Sequence, residues 1–207
     1  DLLSEPFPGP VTALRKPAGP PVPRADDVEA AAALIAKARK PLVIAGGGAV
    51  TGAEAVRGLI EKLGAATLLT ANAKGILPSG HPLLAGGCML TPSLHRAIGE
   101  ADLVLALGTE LGETEFWYEL EGLKLNGAVI RVDIDPRQLH RNARPTLPVV
   151  GDAGRFAAAL APLVTAVEGG PAYARQLQAA RLDGADPRYV RHRPLLDAIW
   201  QVLPEAV

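Results

Sequence analysis

A set of short apolar runs sets what this chain can fold into. They are Leu42-Val43-Ile44-Ala45, Ala66-Thr67-Leu68-Leu69-Thr70, Leu103-Val104-Leu105-Ala106-Leu107, Ala128-Val129-Ile130-Arg131-Val132 and Pro148-Val149-Val150. Each is continuous rather than alternating, so both faces of each strand should be covered, as in a parallel sheet. Helical patterns separate most of them. Together they predict an α/β fold: a doubly wound parallel sheet in a Rossmann-like three-layer arrangement, with an extended N-terminal linker and a helical C-terminal tail.

Turn and cap residues punctuate the runs. Asp26 or Asp27 can cap a helix running to about Arg39, with Lys37, Arg39 and Lys40 at the end where the helix dipole favours cations, and Pro41 ending it. Gly46-Gly47-Gly48 turns the chain after the first strand. Thr51 with Glu54 has the spacing of a capping box for a second helix, which Gly64 stops. Residues 72–82 read as loop. Pro92 and Ser93 start a short helix ending near Glu100. Asp133-Ile134-Asp135-Pro136 closes a later strand and leads into a further short helix, and Gly151-Asp152 into a helix from about Ala153 to Val167.

This gives three units. Residues 1–25, rich in proline from Pro6 to Pro23, form an extended linker. Residues 26–167 form the central Rossmann-like domain. Residues 168–207, with two helices and a polar stretch from Asp183 to Arg193, read as a connector. The chain opens at Asp1 and its only methionine is Met89, which reads as a piece of a longer polypeptide.

The net charge of −1 provides no field for nucleic acid or an anionic membrane surface. No apolar run approaches the length of a membrane span. Cys88 is the only cysteine, so an internal disulfide and a multi-cysteine zinc site are excluded, and a reducing cytoplasm is expected.

In an open parallel sheet, ligands bind beyond the carboxyl ends of the strands. The residues there are Gly46, Gly47, Gly48, Lys74, Gly108, Thr109, Asp133, Asp135 and Asp152, which together read as a candidate nucleotide crevice. Each also has a plain structural reading. The glycines serve as tight turns, Asp135 and Asp152 as helix caps, and Lys74 as a solvated loop residue. Gly46, Gly48 and Gly52 miss the dinucleotide fingerprint, and Thr70-Ala71-Asn72 stands where an acid would hold a ribose, so a standard NAD site is not expected. From Glu110 to Glu121 glutamates alternate with Phe116, Trp117 and Tyr118, either a solvated loop or a surface facing a cationic group. His81, His95, His140 and His192 form no metal motif, and Ser4, Ser79 and Ser93 sit in no nucleophile elbow.

Taken in order, several segments resemble one family: 40–48 (Lys-Pro-Leu-Val-Ile-Ala-Gly-Gly-Gly), Thr70 to Pro78 with His81-Pro82, Ala101 to Thr109, Ile130 to Pro136, and Val150 to Ala153. The resemblance is to the central domain of thiamine-diphosphate enzymes of the acetolactate synthase, benzoylformate decarboxylase and oxalyl-CoA decarboxylase type. It implies a parent enzyme that makes or breaks a bond beside the carbonyl of a 2-keto acid, using thiamine diphosphate and Mg2+ as the source of chemistry. It further implies flanking N- and C-terminal domains that hold the cofactor, and a homodimer or homotetramer. The family's diphosphate-gripping Gly-Asp-Gly…Asn segment is not matched, because Gly151-Asp152 is followed by Ala153.

Some members bind FAD or ADP in this domain. Glu110, Glu113 and Glu115 stand where flavin-binding members carry Arg and Asp, which argues against a diphosphate. The run from Gly108 to Thr114 looks more like decarboxylases whose keto acid has a cationic tail, such as 5-guanidino-2-oxopentanoate. A free-standing NAD enzyme of the sirtuin type is excluded by the lack of its zinc-binding cysteines.

Overall fold

The structure, a computed structural model, describes Gly9 and residues 19–87, 91–112, 123–183 and 191–203. Most of the proline-rich linker, Cys88, Met89, the glutamate–aromatic stretch from Glu113 and the polar stretch 184–190 lie outside the described residues.

Among the described residues six strands form one sheet: β1 (Pro41–Ala45), β2 (Ala66–Leu69), β3 (Leu84–Gly87), β4 (Leu103–Leu107), β5 (Ala128–Asp133) and β6 (Leu147–Val150). Every neighbouring pair is parallel, in the order β3-β2-β1-β4-β5-β6. That is the doubly wound order, and its direction of winding reverses between β1 and β4. Ala45 lies level with Leu107 there, so both strands release their chains at the same height.

Alternate residues of each strand enter opposite cores. Val43, Leu105, Ile130 and Val149 face α1 (Ala25–Ile35), α2 (Ala53–Leu63) and α4 (Ala153–Leu160). Leu42, Ile44, Leu68 and Val104 face α3 (Pro92–Ile98) and α5 (Gly170–Leu182). Both faces of the sheet are covered by apolar clusters, with Thr67 and Arg131 the buried polar residues on the strands, and the predicted parallel three-layer fold is what forms. A last helix, α6 (Arg193–Val202), leaves Leu195, Ile199 and Trp200 exposed.

Several local expectations are corrected. Asp26 and Asp27 lie inside the first turn of α1, which starts at Ala25 without a side-chain cap and ends at Ile35. Pro41 does not stop that helix; it is the first residue of β1, a place where a strand tolerates proline. The Thr51–Glu54 capping box does not form. Gly47–Gly52 winds as a 3₁₀ turn, and α2 begins after Gly52 with no capping side chain. Gly52 lies so close to Gly154 that a Cβ there would sit 3.1 Å from the Gly154 nitrogen, so packing against α4 sets the start of α2.

No helix follows Pro136. The Asp135 carboxylate accepts the Arg137 N–H at 2.9 Å and pairs with its guanidinium at 2.7 Å, a local bond that competes with helix formation. Asp152 does cap α4, accepting from the Arg155 N–H at 2.9 Å. That helix ends at Leu160, where Ala161–Leu163, with Pro162, tightens into a 3₁₀ turn. Gly64 ends α2 with φ +67, as its sequence position implies.

Two features were not anticipated. Strand β3, Leu-Ala-Gly-Gly, extends the sheet beyond β2 through a register irregularity between Thr67 and Leu68. Helix α5, grouped by sequence with the connector, covers one face of the sheet with Tyr173, Ala174 and Leu177, and the Tyr173 hydroxyl donates to the Ala97 carbonyl at 2.7 Å. Lys40 binds α5 in turn, its ammonium 4.3 Å from the Tyr173 ring centre and paired with Glu100.

Candidate functional site

A crevice of about 760 Å3 opens where β1 and β4 diverge. Its glycines are there because backbones meet. The Gly46 N–H donates to the Leu107 carbonyl at 2.9 Å, and the Gly48 N–H donates to the Gly108 carbonyl at 3.0 Å. A Cβ on Gly46 would sit 2.6 Å from Thr109 Cβ, and one on Gly48 would sit 3.0 Å from Gly108 Cα. Gly108 itself has φ +55. The three residues form a clasp that joins the two strand ends across the switch point. Gly47 is less confined: a Cβ there would sit 3.1 Å from Asn72 Cβ.

The turn after β4 is held from below. Arg131 projects from β5 and is 1% exposed. Its guanidinium donates to the Thr109 carbonyl at 2.8 Å and to the Arg141 carbonyl. Burial lowers its pKa, partly offset by the charge of Asp133. The Thr109 hydroxyl accepts the Leu111 N–H at 3.1 Å, and Asn142 donates its amide to the Glu110 carbonyl at 3.0 Å. Leu111 and Asn142 both have positive φ, +50 and +61, a conformation costing non-glycine residues about 1–3 kcal/mol each. Packing and hydrogen bonds thus fix a strained turn that presents Glu110 to the crevice.

Gly46, Gly47, Gly48, Gly108, Thr109, Asp133 and Asp152 all line this crevice, as their strand-end positions imply. Lys74 and Asp135 do not. Lys74 lines a separate hollow with Gly75, Gly86 and Arg181, because β2 passes through a 3₁₀ turn, Ala71–Ala73, that carries it away. Asp135 is held by Arg137 outside the lining. Thr70, Asn72 and Glu110, which the sequence places opposite a ribose and a diphosphate, line the wall, and Gln138 joins them unmarked by the sequence. Thr70 and Asn72 were visible as the residues after β2; Gln138 had no sequence signal.

Among the described residues, none of the lysines, arginines or histidines lines the crevice, while Glu110, Asp133 and Asp152 do. These carboxylates oppose a diphosphate, so the wall does not fit the FAD or ADP considered from sequence. The described residues also contain no group of three or more His, Cys, Asp or Glu side chains placed to hold a metal ion. The Asp152 Oδ1 serves as a helix cap. This donor set does not fit a diphosphate–Mg2+ grip.

Fold and site together define a doubly wound α/β domain with a strand-end crevice walled by glycines and carboxylates. Residues 28–160 match the sequence profile of the family described as "Thiamine pyrophosphate enzyme, central domain". The chain belongs to that family. It is 40% identical over 194 residues to the probable 2-ketoarginine decarboxylase of Pseudomonas aeruginosa, covering 92% of this chain and 34% of that protein. It is 35% identical over 134 residues to the acetolactate synthase of Mycobacterium leprae, covering 63% of this chain and 21% of that protein. Benzoylformate decarboxylase from Polynucleobacter necessarius shares the fold, with TM-score 0.63 and 21% identity over 78% of this chain and 31% of that one. The chain thus spans about a third of the length of the decarboxylase and about a fifth of that of the synthase.

Proposed function

We propose that this chain is a non-catalytic middle domain of a thiamine-diphosphate-dependent decarboxylase that acts on 5-guanidino-2-oxopentanoate in the cytoplasm. The observation that carries this reading is the 40% identity to a probable 2-ketoarginine decarboxylase across 92% of the chain. Residues 1–25 tether it to an N-terminal domain, 26–167 form the central domain, which α5 completes by covering one face of its sheet, and the rest of 168–207 leads to a C-terminal domain. Thiamine diphosphate and Mg2+ sit on those flanking domains, and subunits pair as a homodimer or homotetramer.

The chain's own contribution is positional. The clasp of Gly46, Gly48 and Gly108 and the buried Arg131 hold the two halves of the sheet at one geometry. That rigidity suits a spacer between two domains that must share one cofactor. Cleavage and its electron sink belong to the cofactor when bound.

The test is CO2 release by the longer polypeptide from 5-guanidino-2-oxopentanoate, pyruvate and benzoylformate. The reading predicts kcat/KM at least ~10-fold higher for the guanidino acid, equal to about 1.4 kcal/mol of differential transition-state binding. Preference for pyruvate or benzoylformate would overturn the substrate assignment.

A further inference from the structure

The turn Val150-Gly151-Asp152-Ala153 carries a glycine that the crevice does not explain. Gly151 is buried, and it is not one of the glycines with positive φ, so its own backbone does not call for glycine. Its neighbour does. A Cβ on Gly151 would sit 2.6 Å from Pro23 Cγ, 3.0 Å from Pro23 Cδ and 3.1 Å from Pro23 Cα. All three atoms belong to the proline ring, which cannot rotate aside. The missing Cβ is the notch in which Pro23 sits.

The next residue holds the same segment. Asp152 donates its N–H to the Pro21 carbonyl at 2.9 Å. That N–H precedes the first turn of α4 and has no partner within the helix. The Asp152 side chain is used separately, accepting the Arg155 N–H as the helix cap. Gly151 donates to the Asp133 carbonyl at 2.9 Å, which fixes the turn to β5. Sheet and helix thus hold the turn in place independently of the segment that lies on it.

The segment is shaped to lie there. Pro21 and Pro23 are half-buried, while Pro20, Val22 and Arg24 are exposed, the alternation of an extended chain with one side down. Arg24, at φ −70 and ψ 143, carries that conformation to the start of α1. Proline fixes φ in advance, so little conformational freedom is lost on seating. Pro20 lines the strand-end crevice, so the seated segment supplies part of its rim. One residue earlier the contact stops, because a Cβ on Gly19 would meet no atom within 4 Å.

We propose that Gly151 and Asp152 form a seat for the proline-rich linker, holding residues 20–23 as a strap along the crevice edge. The linker then leaves this domain from one fixed point rather than as a loose tether. The strap sets the position of the domain before it, a role that rests on the middle-domain reading given above. The seat itself rests only on the contacts between 20–23 and 151–152.

The test has two arms. The first is amide exchange in the 207-residue chain, read by NMR, for Gly151→Ala, for Gly19→Ala and for a chain lacking residues 1–23. The shortened chain removes the strap and leaves the turn's own residues unchanged. The Asp152 N–H should exchange at least ~10-fold faster in Gly151→Ala and in the shortened chain. The Phe156 N–H, which donates to the Asp152 carbonyl, should keep its rate in the shortened chain, and Gly19→Ala should change neither. Unchanged Asp152 exchange in the shortened chain would overturn the seat.

The second arm is CO2 release by the longer polypeptide. Gly151→Ala should lower kcat ~10-fold and leave KM within ~2-fold, because a loosened tether disturbs how the domains meet and not how substrate binds. Gly19→Ala should leave both constants unchanged. Faster exchange with an unchanged kcat would overturn the positional role and keep the seat. An unaltered longer polypeptide that releases no CO2 would remove the middle-domain reading and the positional role with it, while exchange still decides the seat.

Discussion

Replacing Gly108 by alanine tests the clasp across the switch point. Gly108 sits at φ +55, which costs a residue with a Cβ about 1–2 kcal/mol. The added Cβ would stand 2.6 Å from the Gly48 carbonyl carbon, 2.7 Å from Gly48 Cα and 2.8 Å from the Ala49 nitrogen. All three are backbone atoms, so no side chain can swing aside. Gly48 is also tied to Gly108 by a 3.0 Å hydrogen bond, so relief means separating the ends of β1 and β4. Overpacking of this kind costs about 1–3 kcal/mol. Together the two effects predict a loss of about 2–5 kcal/mol. Gly58→Ala is the control. Gly58 lies in the middle of α2 with no atom within 4 Å of a new Cβ, so alanine should stabilise by about 0.5–1 kcal/mol. Urea unfolding followed by circular dichroism reads both. The Gly108 variant should lower the midpoint by about 1–2 M, and the Gly58 variant should raise it slightly. A Gly108→Ala change within about 0.5 kcal/mol of the parent chain would refute the clasp.

Other perturbations follow from the same contacts. Arg131→Ala should destabilise by about 3 kcal/mol in urea unfolding, because it leaves the Thr109 and Arg141 carbonyls unpaired and opens a void beneath the β4 turn. Tyr173→Phe should cost about 1 kcal/mol, the usual worth of one neutral hydrogen bond, with the fold intact by circular dichroism. Hydrogen bonds from Lys40 and then Gln176 hold the Glu100 carboxyl below its ordinary value of 4.5. A depressed carboxylate stabilises above that ordinary value and loses its contribution as pH falls through the folded value. The Tm difference between the parent and Glu100→Gln should therefore be present at pH 7 and shrink towards pH 3. Because the pair is half-exposed, it is worth under about 1 kcal/mol.

The sheet was legible because its strands are buried on both sides, and burial leaves an unbroken apolar run. β3 was not, because Leu84-Ala85-Gly86-Gly87 has little strand propensity. Tertiary contact makes it a strand: Gly86 takes φ +111, and Arg181 of α5 lies where its Cβ would be while donating to the Ala85 carbonyl at 3.3 Å. The role of α5 was hidden for a related reason, since its inward face is only Tyr173, Ala174 and Leu177 among polar neighbours.

At the site, glycines and aspartates at strand ends were readable as crevice residues, but which of their two uses each would take was not. Asp152 became a cap within the crevice wall, while Asp135 turned to its neighbour Arg137. Arg131 read as one residue of a strand, and nothing in the sequence marks that its guanidinium would be buried under the next turn. Among the described residues Thr70 Oγ1 and Gln138 Oε1 lack a hydrogen-bond partner, a matter of tertiary placement that leaves no mark in the sequence.

That this chain supplies architecture while its neighbours supply chemistry is tested most directly by CO2 release from 5-guanidino-2-oxopentanoate in the presence of thiamine diphosphate and Mg2+. The folded 207-residue chain should give no release above the protein-free rate, and the longer polypeptide should give many turnovers. Sustained release by the 207-residue chain alone would contradict the account.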